Sequence, residues 1–267
     1  MDIDEFRKHG HHLIDWMADY MDTVEKLPVR SQVKPGKIAS LLKEKPPTNG
    51  EPMGNIIDDF KTNILPGVTH WQHPSFFAYF PANSSPPSVL AEMLTATLGV
   101  QCMLWQTSPA ATEMETRMME WLASMINLPQ KFSGVIQDSA SSATLCALLT
   151  AREQATSWKT NKSGFMKVSK KLIVYTSEEA HSSTEKGAKI AGFGRDNIRF
   201  IPTDNKFRMR ASLLRQKIQL DIKKGFVPTC VVASVGTTGV GAVDPIKEIA
   251  AICKEFDVFL HIDAAWA

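Results

Sequence analysis

The 267-residue sequence is poor in the features that mark secreted, membrane or nucleic-acid-binding proteins. It has four cysteines, Cys102, Cys146, Cys230 and Cys253. None forms a CxxC pair and their spacing fits no zinc motif, so neither a disulfide framework nor a structural metal is indicated. Most lie in apolar stretches, where a free cysteine packs as a small hydrophobe. No apolar run is long enough to span a membrane. The opening MDIDEFRKHG is acidic and polar, unlike a signal peptide. Charge of one sign is not concentrated anywhere: 30 basic and 28 acidic residues are mixed along the chain, for a net charge of +2. Such mixing reads as a solvated surface and points to no nucleic acid and no membrane. No internal repeat is visible. A reduced, cytoplasmic setting is the expectation.

What is present is a real core, with 43% hydrophobic and 22% charged residues. The length suits one large domain with a smaller appendage. Residues 1–27 place Phe6, Leu13, Ile14, Met17, Met21 and Val24 at helical spacing. That apolar face must bury against another domain or subunit. LPVRSQVKPG is a connector, residues 37–44 and 54–65 are short helices, and KPPTNGEPMG between them is a loop. HWQHPSFFAYFPANSSPP mixes aromatics and prolines too densely for regular helix. Residues 86–104 and 110–127 are expected helices.

From Gly134 the rhythm changes. GVIQ, KLIVYT, NIRFIP, TCVVASVG and VFLHID read as strands. The stretches between them, at 142–158, 182–192, 211–225 and 244–256, read as helices. This alternation predicts an α/β protein with a mainly parallel sheet and helices on both faces. The expected division is a helical segment over 1–84 and a large sheet domain over 85–267.

Ligands of such sheets bind at the carboxyl ends of the strands. Ser139-Ala140-Ser141 stands where a strand hands over to a helix. The unpaired amides and positive dipole end there attract phosphate, although a serine in that place equally serves as an ordinary N-cap. Asp263 ends VFLHID at the mouth of a buried strand and needs a cationic partner. A protonated pyridine nitrogen would serve; so would a nearby arginine. His181 follows KLIVYT and is placed either to stack on a planar ring or to start a helix. Trp71, Phe76, Phe77, Tyr79 and Phe80 form an aromatic patch suited to a pocket wall or to packing.

Two patterns mislead. GTTGVG with Asp263 downstream resembles a dinucleotide loop, but Asp244-Pro245 intervenes before the helix and reads as the helix start, with proline at its first position. His9, His11 and His12 lie on a polar helical face with no carboxylate at ligand spacing, so no metal is assigned.

In order, the chain carries HPSFFAYFP, TSPAATEME, GVIQDSASSATLCALL, EEAHSS, VGTTGVGAVD and FLHIDAAWA. This series resembles the aromatic-L-amino-acid decarboxylases, within the wider group of pyridoxal-phosphate-dependent decarboxylases, from about residue 1 to the last. The resemblance implies a fold-type-I domain, a pyridoxal 5'-phosphate cofactor, an amino-acid substrate and a homodimer whose N-terminal segment packs on the other subunit. It implies that Ser139, Ala140 and Ser141 bind the phosphate and that His181 stacks on the ring. Thr238 would lie near the cofactor, Asp263 would hold the pyridine nitrogen, and Ala265 would sit beneath the ring. His181 and Asp263 would be the catalytic groups. Trp71, Tyr79, Phe80, Pro81, Ala82, Pro109 and Ala110 would line the substrate pocket.

The sequence departs from the animal members at several positions: Ala82 for a threonine, Met103 for an aromatic residue, Ser142 for a glutamate and Trp266 for a tyrosine. The family's cofactor-bearing lysine lies in a His-Lys pair downstream of the HIDAA strand, whereas this chain closes at Ala267. The expectation is therefore a fragment of a longer enzyme, with an incomplete sheet and no activity alone. A non-catalytic remnant or split-protein subunit, a histidine decarboxylase and an aromatic aldehyde synthase are the alternatives.

Overall fold

The computed structural model describes residues 1–80, 84–129, 131–165 and 168–267. Two compact units emerge, Met1–Gly99 and Val100–Ala267.

The first unit is helical. Helix α1 (Ile3–Thr23) begins with a capping box in which Asp2 and Glu5 satisfy each other's backbone amides. A 3-10 turn, Val24–Lys26, follows. Trp16 packs edge-on against Phe60 at 5.3 Å, while Ile3 and Phe6 stay exposed. The apolar stripe of α1 is thus covered only in part within its own unit. Helix α2 (Lys37–Leu41) is short, and α3 (Met53–Asp59) runs into a π turn over Phe60–Ile64. Helix α4 (Pro86–Leu98) starts on a Ser85 cap and stops where Gly99 turns left-handed, at φ 59°. The expected helix to 104 is therefore cut short by a C-cap glycine.

The second unit carries the sheet. It begins with α5 (Pro109–Met125), α6 (Ala140–Ala155) and α7 (Lys159–Ser163). Then come β1 (Leu172–Ser177), α8 (Ser182–Ile190), β2 (Ile198–Ile201) and α9 (Ala211–Lys223). Strand β3 (Val227–Ser234), α10 (Ile246–Phe256) and β4 (Phe259–Asp263) complete it. The strands lie in the order β2-β1-β3-β4 and every pairing is parallel. Strand alternation sends Ile173, Tyr175, Val231 and Ala233 to one face, against Leu214 and Ile218 of α9 and Ile249 and Ile252 of α10. Leu172, Val174, Cys230 and Val232 face the other way, onto Leu148 and Ala151 of α6 and Ala188 of α8. Both faces are covered, which is why these strands read as continuous apolar runs.

One polar group inside this core is fully partnered. The buried Tyr175 hydroxyl donates to Asp221 Oδ2 at 3.0 Å, and Arg199 Nε reaches the same oxygen at 3.0 Å. Burial and the Asp221 charge push the Tyr175 hydroxyl far up, so it stays a donor. The carboxylate tolerates burial because both neighbours donate to it.

Two further sequence expectations fail locally. GVIQ is not a strand: residues 134–137 join no ladder, and Val135 and Ile136 are 66% and 59% exposed. An apolar run alone does not supply a pairing partner. Helix α10 begins at Ile246, with Pro245 as its N-cap rather than its first residue. Asp244 is drawn out of the helix because its carboxylate accepts from Met209 N at 2.7 Å and Ser234 N at 2.8 Å.

Candidate active site

Helix α8 follows β1 directly, so its N-terminus lies at the carboxyl edge of the sheet. Helix α6 points the same way. Thr144, in its second turn, reaches His261 near the end of β4, with Oγ1 and Nε2 3.3 Å apart. The α6 and α8 N-termini, the end of β4 and the loop after β3 therefore gather at one edge.

Ser139 caps α6 from extended backbone, its Oγ accepting from Ser142 N at 3.2 Å. Ala140 and Ser141 follow in the first turn, and their amides are donors the helix itself cannot satisfy. All three residues are exposed. Small side chains leave room for an anion to approach those amides, which the helix dipole favours.

His181 caps α8. Its Nδ1 accepts from Ser183 N at 3.2 Å and lies 2.8 Å from Ser183 Oγ. An amide donating to Nδ1 places the proton of the neutral ring on Nε2. The imidazole is thus oriented from one side and exposed on the other.

Asp263 closes β4 directly across from Ser234, and Val235 N donates to Asp263 O at 2.8 Å. Its Oδ1 accepts from Ala265 N at 3.2 Å, fixing the exposed Ala265 beside it. Among the described residues no basic side chain pairs with Asp263. The carboxylate is half-buried and retains acceptor capacity for a cationic ligand group.

Thr238 lies exposed in the loop joining β3 to α10. That loop is closed on itself, with Thr237 N donating to Ala242 O and Ala242 N to Thr237 Oγ1, both at 3.0 Å. Gly236 adopts φ +88°, and a Cβ there would lie 2.5 Å from the Trp266 ring. The loop that carries Thr238 and the segment that carries Ala265 therefore meet face to face. Gly239 of the same loop approaches Glu179, in the turn before His181, to 4.0 Å from its position for a Cβ.

Pro109 and Ala110 open α5, where the buried Ser108 accepts from Ala111 N at 3.3 Å. Helix α5 is tied to the run leading into α6 by Glu115, whose Oε1 accepts from Ile136 N at 2.7 Å. In the first unit, Trp71 stacks on Phe76 at 4.9 Å and on Tyr79 at 5.7 Å. Phe77 is 91% exposed and Phe80 is also exposed. The segment is anchored from behind by Tyr20, whose hydroxyl is 2.8 Å from His70 Nδ1. Pro81 and Ala82 lie outside the described residues.

Sequence reasoning missed Thr144 and His261, and it read Asp244 only as a helix start and Gly236 only as part of a misleading glycine-rich loop. A period of two in HID would have put His261 on the face of Asp263, and a spacing of four would have set Thr144 behind Ala140.

The donor set suits a planar ligand with an anionic group at one end and a protonated ring nitrogen at the other. Helix amides stand ready for the anion, and a carboxylate with no basic partner among the described residues stands ready for the nitrogen. Thr176, Ser177 and Thr184 also carry buried hydroxyl oxygens without a partner among the described residues. They end β1 and begin α8, so polar capacity is left beneath the same edge for a ligand or for water.

The fold is that of an α/β protein, and the donors and acceptors at its sheet edge suit a phosphorylated, nitrogen-containing aromatic ligand. Residues 35–267 match the pyridoxal-dependent decarboxylase conserved domain, and the chain belongs to that family. The family's cofactor is pyridoxal phosphate. Over its whole length the chain is 42% identical to phenylacetaldehyde synthase of Petunia hybrida and 43% identical to aromatic-L-amino-acid decarboxylase of Mus musculus. It covers 53% and 57% of those proteins, so it spans about half the length of the curated relatives it matches. The crystal structure of Catharanthus roseus tryptophan decarboxylase in complex with L-tryptophan superposes with a TM-score of 0.93 at 38% identity, covering 100% of this chain and 58% of that one. Among the described residues no helix is long and apolar enough to cross a membrane.

Proposed function

We propose that this chain carries the cofactor-binding part of an enzyme that decarboxylates an aromatic L-amino acid to its amine and carbon dioxide. The observation that carries the reading is the gathering of the α6 N-terminus, His181 and Asp263 at one sheet edge. Bound pyridoxal phosphate would supply the electron sink that accepts charge as the carboxyl group leaves.

The residues of the chain would do the rest. Ser139, Ala140 and Ser141 would hold the phosphate through the cap hydroxyl and the first-turn amides. Asp263 would keep a proton on the ring nitrogen by charge pairing. His181, oriented by Ser183, would lie over the ring with its Nε2 proton outward. Ala265 would bound the opposite face, and Thr238 would border the ring from the β3–α10 loop. By the family resemblance, Trp71, Tyr79, Phe80, Pro81, Ala82, Pro109 and Ala110 would be the substrate-binding residues. The 1–84 segment, with Ile3 and Phe6 uncovered, would pack on a second subunit of a homodimer. The lysine that holds the cofactor covalently would lie outside these residues, and the protein would work in the cytoplasm.

A second reading has specific support. The phenylacetaldehyde synthase of Petunia hybrida matches as well as the decarboxylases do, so an aldehyde could replace the amine as product. The test is product analysis of the protein as it is made in its source, offered phenylalanine, tyrosine, dihydroxyphenylalanine, tryptophan and histidine. Amine formed in step with carbon dioxide supports the first reading. Aldehyde supports the second. Pyridoxal phosphate bound without release of carbon dioxide from any of them would mark a non-catalytic binding protein and overturn both.

A further inference from the structure

Two side chains with no role in the reading above join the two ends of the site. Thr144 is buried in the second turn of α6, four residues after Ala140, at 1% exposure. His261 is two residues before Asp263 on β4 and shares its face of the sheet. Their contact, Oγ1 to Nε2 at 3.3 Å, links the helix that presents the phosphate-binding amides to the strand that presents the carboxylate. Across the sheet, His261 is in register with Val232 and Val232 with Thr176, so the imidazole sits among apolar and hydroxyl neighbours. The charged and titratable groups acting with it are Asp263, which raises its proton affinity, and Cys230, which lies beside its backbone. Burial outweighs the carboxylate and holds His261 below the ordinary imidazole range, so the ring is neutral near pH 7.

A rigid ligand gripped at both ends gains affinity only when its two anchors are already held at the matching separation. We propose that Thr144 and His261 are positioning residues that lock the start of α6 to the Asp263 end of β4 and so set the span of the cofactor site. The inference rests on the pyridoxal-phosphate reading. It separates ligands by length: pyridoxal phosphate touches both anchors, whereas inorganic phosphate touches the α6 end alone.

The test uses the protein as it is made in its source, with Thr144→Val and Thr144→Ser variants. Affinity is measured for pyridoxal phosphate directly and for inorganic phosphate by competition, alongside the absorbance of the bound cofactor and thermal unfolding. In Thr144→Val, pyridoxal phosphate should bind about tenfold more weakly, the scale of one lost hydrogen bond. Its absorbance should shift as the ring moves against Asp263, while phosphate affinity stays unchanged. Thr144→Ser, which keeps the hydroxyl, should restore both. Equal affinity and spectrum in Thr144→Val would overturn the inference. So would equal losses for both ligands, which mean general loosening, or a Thr144→Ser variant as impaired as Thr144→Val. An unsubstituted protein that binds no pyridoxal phosphate would instead overturn the reading beneath it, and the inference with it.

Discussion

The buried carboxylate of Asp244 accepts the backbone amide of Ser234 at 2.8 Å, at the point where β3 ends. Ser234 is also the register partner of Asp263, so this contact fixes the backbone against which the site carboxylate is set. The second oxygen of Asp244 takes Met209 N, tying the start of α9 to the same place. Asp244→Ala would strand two buried amides. A loss of about 2–6 kcal/mol in urea unfolding is expected, from about 1–3 kcal/mol for each of the two unsatisfied donors. A change within experimental error would mean that the loop is held by other contacts.

Gly236 is the only residue type its position accepts. Its φ of +88° strains any L side chain, and a Cβ would stand 2.5 Å from the Trp266 ring. Gly236→Ala should destabilise by roughly 1–3 kcal/mol and should disturb both Thr238 and Ala265. In a Trp266→Ala background the steric part of that loss should disappear and only the backbone part remain. A double-mutant cycle checks it, and strict additivity would contradict the contact.

The Asp204 turn offers a pH test. Arg208 grips Oδ2 through Nε at 2.9 Å and through its terminal nitrogen at 2.7 Å, while the amides of Lys206 and Arg208 reach Oδ1. These donors hold the carboxyl down from 3.8 to about 2. A depressed acid contributes stability that is present above its unfolded value and lost as pH falls through its folded one. The turn should therefore survive at pH 4 and loosen toward pH 2. The side-chain carboxyl carbon, followed by NMR, should titrate near 2; a midpoint near 3.8 would remove the grip.

His70 is also acid-sensitive, but because a neutral ring is buried rather than because a charge is paired. Burial lowers it below the ordinary 6.5, with help from His73. Folding then binds fewer protons than the unfolded chain, so stability is complete above about 6.5 and falls as pH drops through that value. Tyr20→Phe removes the hydroxyl that meets His70 and should cost about 1 kcal/mol. The hydrogen-exchange protection of residues 70–76, taken relative to the intrinsic rate at each pH, should fall in that variant and in mild acid. Unchanged protection in both would show that the aromatic segment is not anchored through His70.

The centre of the sheet was readable because β1 and β3 are covered on both faces, which writes them as largely apolar runs. GVIQ is written the same way yet joins no ladder, because a run records apolarity and not the presence of a neighbour. The helix starts at Ser139 and His181 were readable from cap chemistry. The α10 start was not: Asp244 looks like a cap in sequence, and only the fold brings Met209 and Ser234 to its carboxylate. Of the candidate site residues, His181, Thr238 and Asp263 stand at or just after strands, whereas Ser139 follows GVIQ, which joins no ladder, and stood out as a helix cap. Their supports did not stand out, since Thr144 and His261 lie 117 positions apart in the chain and meet only when α6 packs on the sheet.

On the proposed function, the carboxyl edge of this sheet would grip pyridoxal phosphate between the α6 N-terminus and Asp263. Equilibrium titration of the protein with pyridoxal phosphate, side by side with Asp263→Ala, tests it most directly. Saturable binding that weakens at least about tenfold in the variant, as expected when a charge-assisted bond is lost, is the predicted result. No binding, or binding equally tight without the carboxylate, would contradict the account.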